Sequence, residues 1–267
     1  MPNRHTMAAP TVFFRTAPTA MPRTKAEPTA RPADGLPETD ADGARGASVE
    51  EIADRILTAI WEHRLPPGTK LVEEKLGGVF GVSRTKVRLA FAKLAHEGVL
   101  TVHPNRGTFV SSPSVAEARQ VLHSRHLLEP ALVRDLAGAI SAGGVRALRE
   151  TTRQEAQARD SNDRRAIIRL SGEFHCRLAE MTGNQYLGKY MRELCSLTCL
   201  IIALYDAPGV PSCPHHEHDD IVDALEAGDG ERAARLMAEH LGHVESTLRL
   251  ELPAEGKVDL EAVFAAV

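Results

Sequence analysis

Residues 83–110 read SRTKVRLAFAKLAHEGVLTVHPNRGTFV. Ser83 is a good helix N-cap, and behind it Val87, Ala90, Phe91 and Leu94 fall on one helical face. Thr85, Arg88 and Ala92 point the other way, with Arg84 at the exposed start and Gly98 as the stop. Residues 100–102 and 108–110 then form two short strands around the turn Pro104-Asn105-Arg106-Gly107. From Arg84 to Arg106 five cations (Arg84, Lys86, Arg88, Lys93 and Arg106) stand against one acid, Glu97. A basic helix running into a basic-tipped hairpin has the pattern of a winged helix-turn-helix. One helix enters the major groove and the hairpin reaches the neighbouring minor groove or backbone.

Working upstream, Ser48-Val49-Glu50-Glu51 is a capping box that opens a first helix. Ile52, Ile56 and Ile60 continue it, and Leu65-Pro66-Pro67-Gly68 breaks it. Lys70-Leu71-Val72 reads as an edge strand. Residues 73–80 read as a short helix with Leu76 and Phe80 inward, weakened by Gly77 and Gly78 at about 1 kcal/mol each relative to Ala. Gly81-Val82 turns the chain into the basic helix. Residues 1–45 are rich in Pro, Ala, Thr and Gly without apolar periodicity, and read as a disordered tail. The basic, acid-poor start faintly mimics a transit peptide. A flexible tail, or a working start codon nearer Met21, accounts for it better.

The whole chain, 267 residues with a net charge of −4, is mildly acidic, so DNA binding is expected only at the local basic patch. The length favours two domains. The four cysteines (Cys176, Cys195, Cys199, Cys213) lack paired CxxC spacing and read as reduced buried thiols of a cytoplasmic protein. No apolar run approaches the roughly 18 residues of a membrane span.

Residues 114–250 read as helical throughout, opening on a second capping box, Ser114-Val115-Ala116-Glu117. Six helices are expected over about 114–138, 144–159, 163–182, 185–205, 215–227 and 230–250. The breaks fall at Gly143-Gly144, Gly183-Asn184, Pro208-Gly209-Val210-Pro211 and Gly228-Asp229-Gly230. The fold class is therefore mainly α. A winged helix-turn-helix with a small hairpin (46–112) precedes an all-α bundle (114–250), with a C-terminal tail at 251–267. Sites are expected in the bundle core, between facing helices. His175, His218 and His240 come from three different helices and have the residue type that binds divalent metals. Arg125 and Glu129 lie one turn apart, which allows either an intrahelical pair or an Arg free to bind an anion. His215, His216 and His243 read as surface neighbours, and His123 and His126 carry no assignment.

Two sets of motifs carry a family resemblance. Residues 65–73, 81–88, 97–100 and 105–110 resemble the winged-helix domain of GntR-family transcription regulators, over about residues 48–112. The resemblance implies DNA contacts from Ser83, Arg84, Thr85 and Arg88 on the recognition helix, and from Arg106 and Gly107 on the wing. The chain departs from the family in three places: Lys86 stands where proline is common, Leu89 where an acid is common, and Glu74 where some members place a DNA-contacting arginine. Residues 125–129, 173–175 with 183–184, and 218–241 resemble the FCD ligand-sensing domain of the FadR subfamily. Many such domains hold a metal with three histidines and a carboxylate. Here the histidines map to His175, His218 and His240, and the carboxylate position is Ser171. Two alternatives follow: a divalent ion (Zn, Ni or Mn) on three protein ligands with more open positions, or a metal-free pocket.

The resemblance implies a homodimeric regulator, more often a repressor, on a palindromic double-stranded operator. A small carboxylate effector is expected to meet the metal, Arg125 and Ser171. An alternative is a metal-sensing regulator, in which the ion itself is the signal. A metal-dependent hydrolase is the competing class, but HExxH is absent and an enzyme leaves the wing unexplained.

Overall fold

The computed structural model describes residues 46–206 and 216–250. The expected tails at 1–45 and 251–267, the break at Pro208-Gly209-Val210-Pro211, His215 and Cys213 lie outside the described residues.

Helix α1 (Val49–Trp61) begins on the expected capping box, with Ser48 and Glu51 each capping the other's backbone N–H. Strand β1 (Lys70–Leu71) leads into α2 (Glu73–Phe80). Gly81, at φ 66°, turns the chain into α3 (Arg84–His96). This left-handed conformation strains residues that carry a Cβ. Strands β2 (Leu100–His103) and β3 (Gly107–Val110) form the hairpin. The sheet is antiparallel in the order β1-β3-β2, with Leu71 opposite Thr108 and Val102 opposite Thr108 on the other side. Val87, Ala90, Phe91 and Leu94 are buried, as the periodicity requires, while Thr85, Arg88 and Ala92 are exposed.

The bundle consists of α4 (Val115–Ala137), α5 (Ala142–Asp160), α6 (Arg164–Met181), α7 (Gln185–Tyr205), α8 (Glu217–Glu226) and α9 (Gly230–Ser246). Two expectations need correction. Gly143-Gly144 is not a break. Ser141 accepts the Gly144 N–H as N-cap, and both glycines lie in the first turn of α5. Helix α9 ends at Ser246 rather than at 250, because the chain turns so that Leu248 bridges Asp206 and Leu250 joins a small apolar cluster with Val121 and Leu122.

A single apolar cluster runs from Ile52 in α1 to Leu241 in α9. Fully burying a side chain such as Phe91 or Phe174 contributes roughly 1.5–3 kcal/mol. The winged-helix elements share this core with the bundle. The Trp61 indole donates to Ser196 Oγ at 3.2 Å, and His63 Nε2 lies 3.0 Å from the Cys199 carbonyl on α7.

Candidate functional site

Two polar sites stand out, one on the outer face of the helix-turn-helix and one at the centre of the bundle. At the first, Ser83 Oγ accepts the Lys86 N–H at 3.3 Å, leaving its own hydroxyl hydrogen to donate elsewhere. Ser83, Arg84, Thr85, Arg88, Arg106 and Gly107 are all exposed. Gly107 sits at φ 101° and Asn105 at φ 60°, so the hairpin tip depends on residues that tolerate positive φ. Its cationic tip, Arg106, has no ion-pair partner among the described residues.

This face is less basic than its own stretch of sequence suggests. Helix α2 brings two acids across the recognition helix. Glu73 closes a two-point fork on Arg88 (Nε–Oε1 2.9 Å, Nη2–Oε2 2.7 Å), and Glu74 pairs with Arg84 at 2.6 Å. Hydrogen bonding to Arg88 lowers the Glu73 carboxyl, and the same bond raises Arg88. The count of five cations against one acid missed both carboxylates, which precede the window in sequence.

At the second site α6, α8 and α9 bring His175, His218 and His240 together, all buried, with their candidate ligand atoms within 4.8 Å of one another. His240 Nε2 lies 3.1 Å from His175 Nε2 and 3.3 Å from His218 Nε2. Behind each ring stands a carboxylate: Glu129 Oε2 lies 2.5 Å from His175 Nδ1, Glu155 Oε2 2.7 Å from His218 Nδ1, and Glu217 Oε2 2.8 Å from His240 Nδ1. Burial pushes His175 down to about 4 and His240 down to about 3. Burial would raise Glu155, but His218 and Arg159 beside it outweigh that and hold it at about 2. Glu129 stays well below the usual carboxylate range, because Arg125 and His175 overcome the effect of its burial.

These facts fix the chemistry of the centre. Where a ring carries a single proton, a carboxylate beside Nδ1 favours keeping it there, which turns the Nε2 lone pair inward. Lone pairs about 3 Å apart repel unless a proton or a metal ion lies between them. The spacing suits two ligands of a small ion with roughly 2.0–2.1 Å bonds to nitrogen, which sit about 3.3 Å apart in a tetrahedral site. Among the described residues, three carboxylates (Glu129, Glu155, Glu217) and two guanidiniums (Arg125, Arg159) stand around the rings. The donor set fits a divalent metal.

Beside the histidines is a cavity of about 30 Å³, lined among others by Arg125, Ser171, His175, Cys195, Cys199 and His240. Ser171 lies on this cavity wall. Arg125 Nε donates to Glu129 Oε1 at 2.5 Å, forming the intrahelical pair, while the buried Nη2 has no hydrogen-bond partner among the described residues. Buried charged donors are rarely left unpaired, so Nη2 marks where an anion would be welcome. Cys176, Cys195 and Cys199 are buried free thiols, as expected, and burial raises Cys199. His243 is exposed but touches Glu217, and His126 lies 3.3 Å from Glu245.

Residues 48–110 match the family model described as bacterial regulatory proteins, gntR family, and residues 120–243 match the FCD domain. The chain belongs to the GntR family. It is a DNA-binding transcriptional regulator with an FCD domain, and it is not an enzyme. The HTH-type transcriptional repressor RspR of Escherichia coli (strain K12) is 28% identical over 186 residues, 69% of this chain and 82% of the relative. Two solved structures share the fold. A GntR transcriptional regulator from Rhodococcus sp. RHA1 has a TM-score of 0.64 at 24% identity, and E. coli McbR/YncC one of 0.65 at 19%. Each comparison covers 74% of this chain and 95% of the other. Among the described residues no helix is long and apolar enough to cross a membrane.

Sequence reasoning missed Glu155 and Glu217 as partners of the histidines. Glu155 sits in a polar stretch of α5 that looks like a solvated helix face, and nothing in its spacing points to His218. In the sequence, Glu129 is marked only by its one-turn spacing from Arg125.

Proposed function

We propose that this GntR regulator is a cytoplasmic homodimer, most simply a repressor, whose bundle (114–250) holds a divalent ion on His175, His218 and His240. A small carboxylate effector binds between that ion and Arg125, with Ser171 on the wall beside it. The winged helix (46–112) reads a palindromic operator, with half-sites about one helical turn apart. Arg84 and Arg88 approach base edges from the recognition helix, Ser83 and Thr85 donate to phosphates at its N-terminus, and Arg106 and Gly107 meet the backbone from the wing.

The observation that carries the bundle reading is the convergence of three Nε2 atoms, each with a carboxylate beside Nδ1, next to Arg125 Nη2, which has no partner among the described residues. A bound ion supplies a positive charge with open coordination positions for an anionic oxygen. Arg125 supplies the second anchor, with the planar fork that suits a carboxylate. Packing supports communication between the sites. The Trp61 ring lies where a Cβ on Gly172 of α6 would meet it at 3.4 Å, and its indole N–H is bonded to Ser196 of α7. A shift of α6 or α7 on ligand binding therefore meets α1 directly. The effector acts through its differential affinity for the DNA-competent and incompetent arrangements, typically about 1–3 kcal/mol.

The metal-sensor alternative is favoured by one observation. A cavity of about 30 Å³ holds only one or two waters, so an organic effector requires the pocket to open.

The test is the metal content of the full chain, purified without a tag, before and after a chelator. It is followed by operator binding with and without a panel of small carboxylates. About one retained ion per chain, and operator release by a carboxylate only when the ion is present, is the expected result. Absence of any ion after equilibration with Zn, Ni and Mn would sink the reading. Release by metal alone would favour the sensor.

A further inference from the structure

Arg84 and Glu74 form an ion pair at the outer tip of the helix-turn-helix, with 2.6 Å between Nη2 and Oε1. Glu74 lies in the first turn of α2 and Arg84 opens α3. Both side chains are largely exposed, 71% and 62%. Exposed pairs of this kind add little to stability, so the fold does not require an acid here. Toward a phosphate backbone the acid is a disadvantage, because every contact there favours positive charge.

The neighbouring pair shows what is unusual about Glu74. Glu73 has both oxygens engaged by Arg88, which makes it a buttress for that guanidinium. Glu74 uses one oxygen on Arg84 and keeps the other free among the described residues. The recognition helix therefore begins with guanidinium donors directly beside an open carboxylate acceptor. A G·C pair presents the complementary pattern in the major groove, with the guanine O6 and N7 acceptors beside the cytosine 4-amino donor. An A·T pair presents its amino donor between two acceptors instead.

We infer that Glu74 is a specificity-determining residue of the DNA interface, which together with Arg84 reads a G·C edge by accepting from the cytosine 4-amino group. The inference rests on the reading that Arg84 enters the major groove. Glu74 thus sets a negative charge near the phosphates and adds a base contact, exchanging general affinity for selectivity.

The experiment selects preferred half-sites from randomised duplexes with the full chain and its Glu74→Ala and Arg84→Ala variants. Individual sites are then titrated, including one in which the cytosine carries an N4-methyl group in place of the amino hydrogen facing the major groove. The wild type should require G·C at one position of each half-site. Glu74→Ala should lose that preference by roughly 5- to 150-fold while keeping the others. N4-methylcytosine should weaken the wild type and leave Glu74→Ala unchanged. The inference is overturned if Glu74→Ala binds every sequence more tightly with its preferences intact, for the acid is then only a charge brake. If Arg84→Ala also leaves every base preference unchanged, the placement of Arg84 in the major groove falls, and this inference falls with it. Loss of preference in Arg84→Ala alone rejects Glu74 and keeps Arg84.

Discussion

His175 and His240 face each other across the bundle core with their Nε2 atoms 3.1 Å apart, although they lie on different helices and 65 residues apart in the chain. With Glu129 and Glu217 at the two Nδ1 atoms, this contact opposes two lone pairs unless a cation joins them. The arrangement suits an ion that joins the two rings. Metal binding should therefore stabilise the fold as a ligand does, by about 2.7 kcal/mol at a hundredfold excess over Kd.

For a chain of this size that corresponds to a rise in Tm of about 5–10 °C. Thermal unfolding with saturating Zn or Ni, against chelator-treated protein, measures it. His218→Ala, which removes one of the three donors, should abolish the response. A variant that still gains the full shift would remove His218 from the ligand set.

Glu155 offers a sharper test, because it touches the proposed ion only through His218. A partner of this kind typically changes metal affinity by about 10–100-fold. Glu155→Gln should weaken binding by that amount in competition with a chromophoric chelator, with stoichiometry unchanged. Wild-type affinity would reduce Glu155 to a partner for Arg159, which it also meets at 2.6 Å.

Arg125 and Glu129 test the cost of isolating a buried charge. Both are almost wholly inaccessible, and Glu129 divides its oxygens between Arg125 and His175. Arg125→Ala should cost about 3–5 kcal/mol in urea unfolding, since it leaves a buried carboxylate without its guanidinium. Adding Glu129→Gln should recover more than about 1 kcal/mol of this, as coupled neighbours do. Strict additivity of the two changes would show that the pair does not interact.

How much of this could be read from the chain depends on whether the signal is local. Helix starts are local: Ser48 with Glu51 and Ser114 with Glu117 form the capping boxes that their spacing announces. The buried stripe Val87, Ala90, Phe91, Leu94 follows from periodicity alone. Gly143-Gly144 misled, because paired glycines mark breaks only on average, and here Ser141 supplied the cap that starts α5 before them. The three histidines pointed to a metal chiefly through family resemblance, since separations of 43 and 22 residues carry no geometric meaning by themselves. The carboxylates behind them were out of reach. Glu155 meets His218 only after α5 packs on α8, and Glu73 and Glu74 meet Arg88 and Arg84 only once the turn at Gly81 folds α2 over α3.

The wing and the recognition helix should fail differently, and the difference follows from their partners. Arg106 stands at an exposed hairpin tip, with no acid paired to it among the described residues, which is the setting of a phosphate contact. Arg88 is held in a two-point fork by Glu73, with its remaining N–H groups presented in one orientation, which is the setting of a base contact. Arg106→Ala should therefore weaken operator and scrambled DNA alike, and should reduce the slope of log affinity against log salt by about 1. Arg88→Ala should cost roughly 1–3 kcal/mol on the operator and far less on scrambled DNA. Fluorescence anisotropy titrations between about 50 and 200 mM salt, on both duplexes, separate the two behaviours. If Arg106→Ala leaves the salt slope unchanged, the hairpin does not touch the backbone. If Arg88→Ala weakens both duplexes equally, Glu73 holds a phosphate-binding arginine and not a base-reading one.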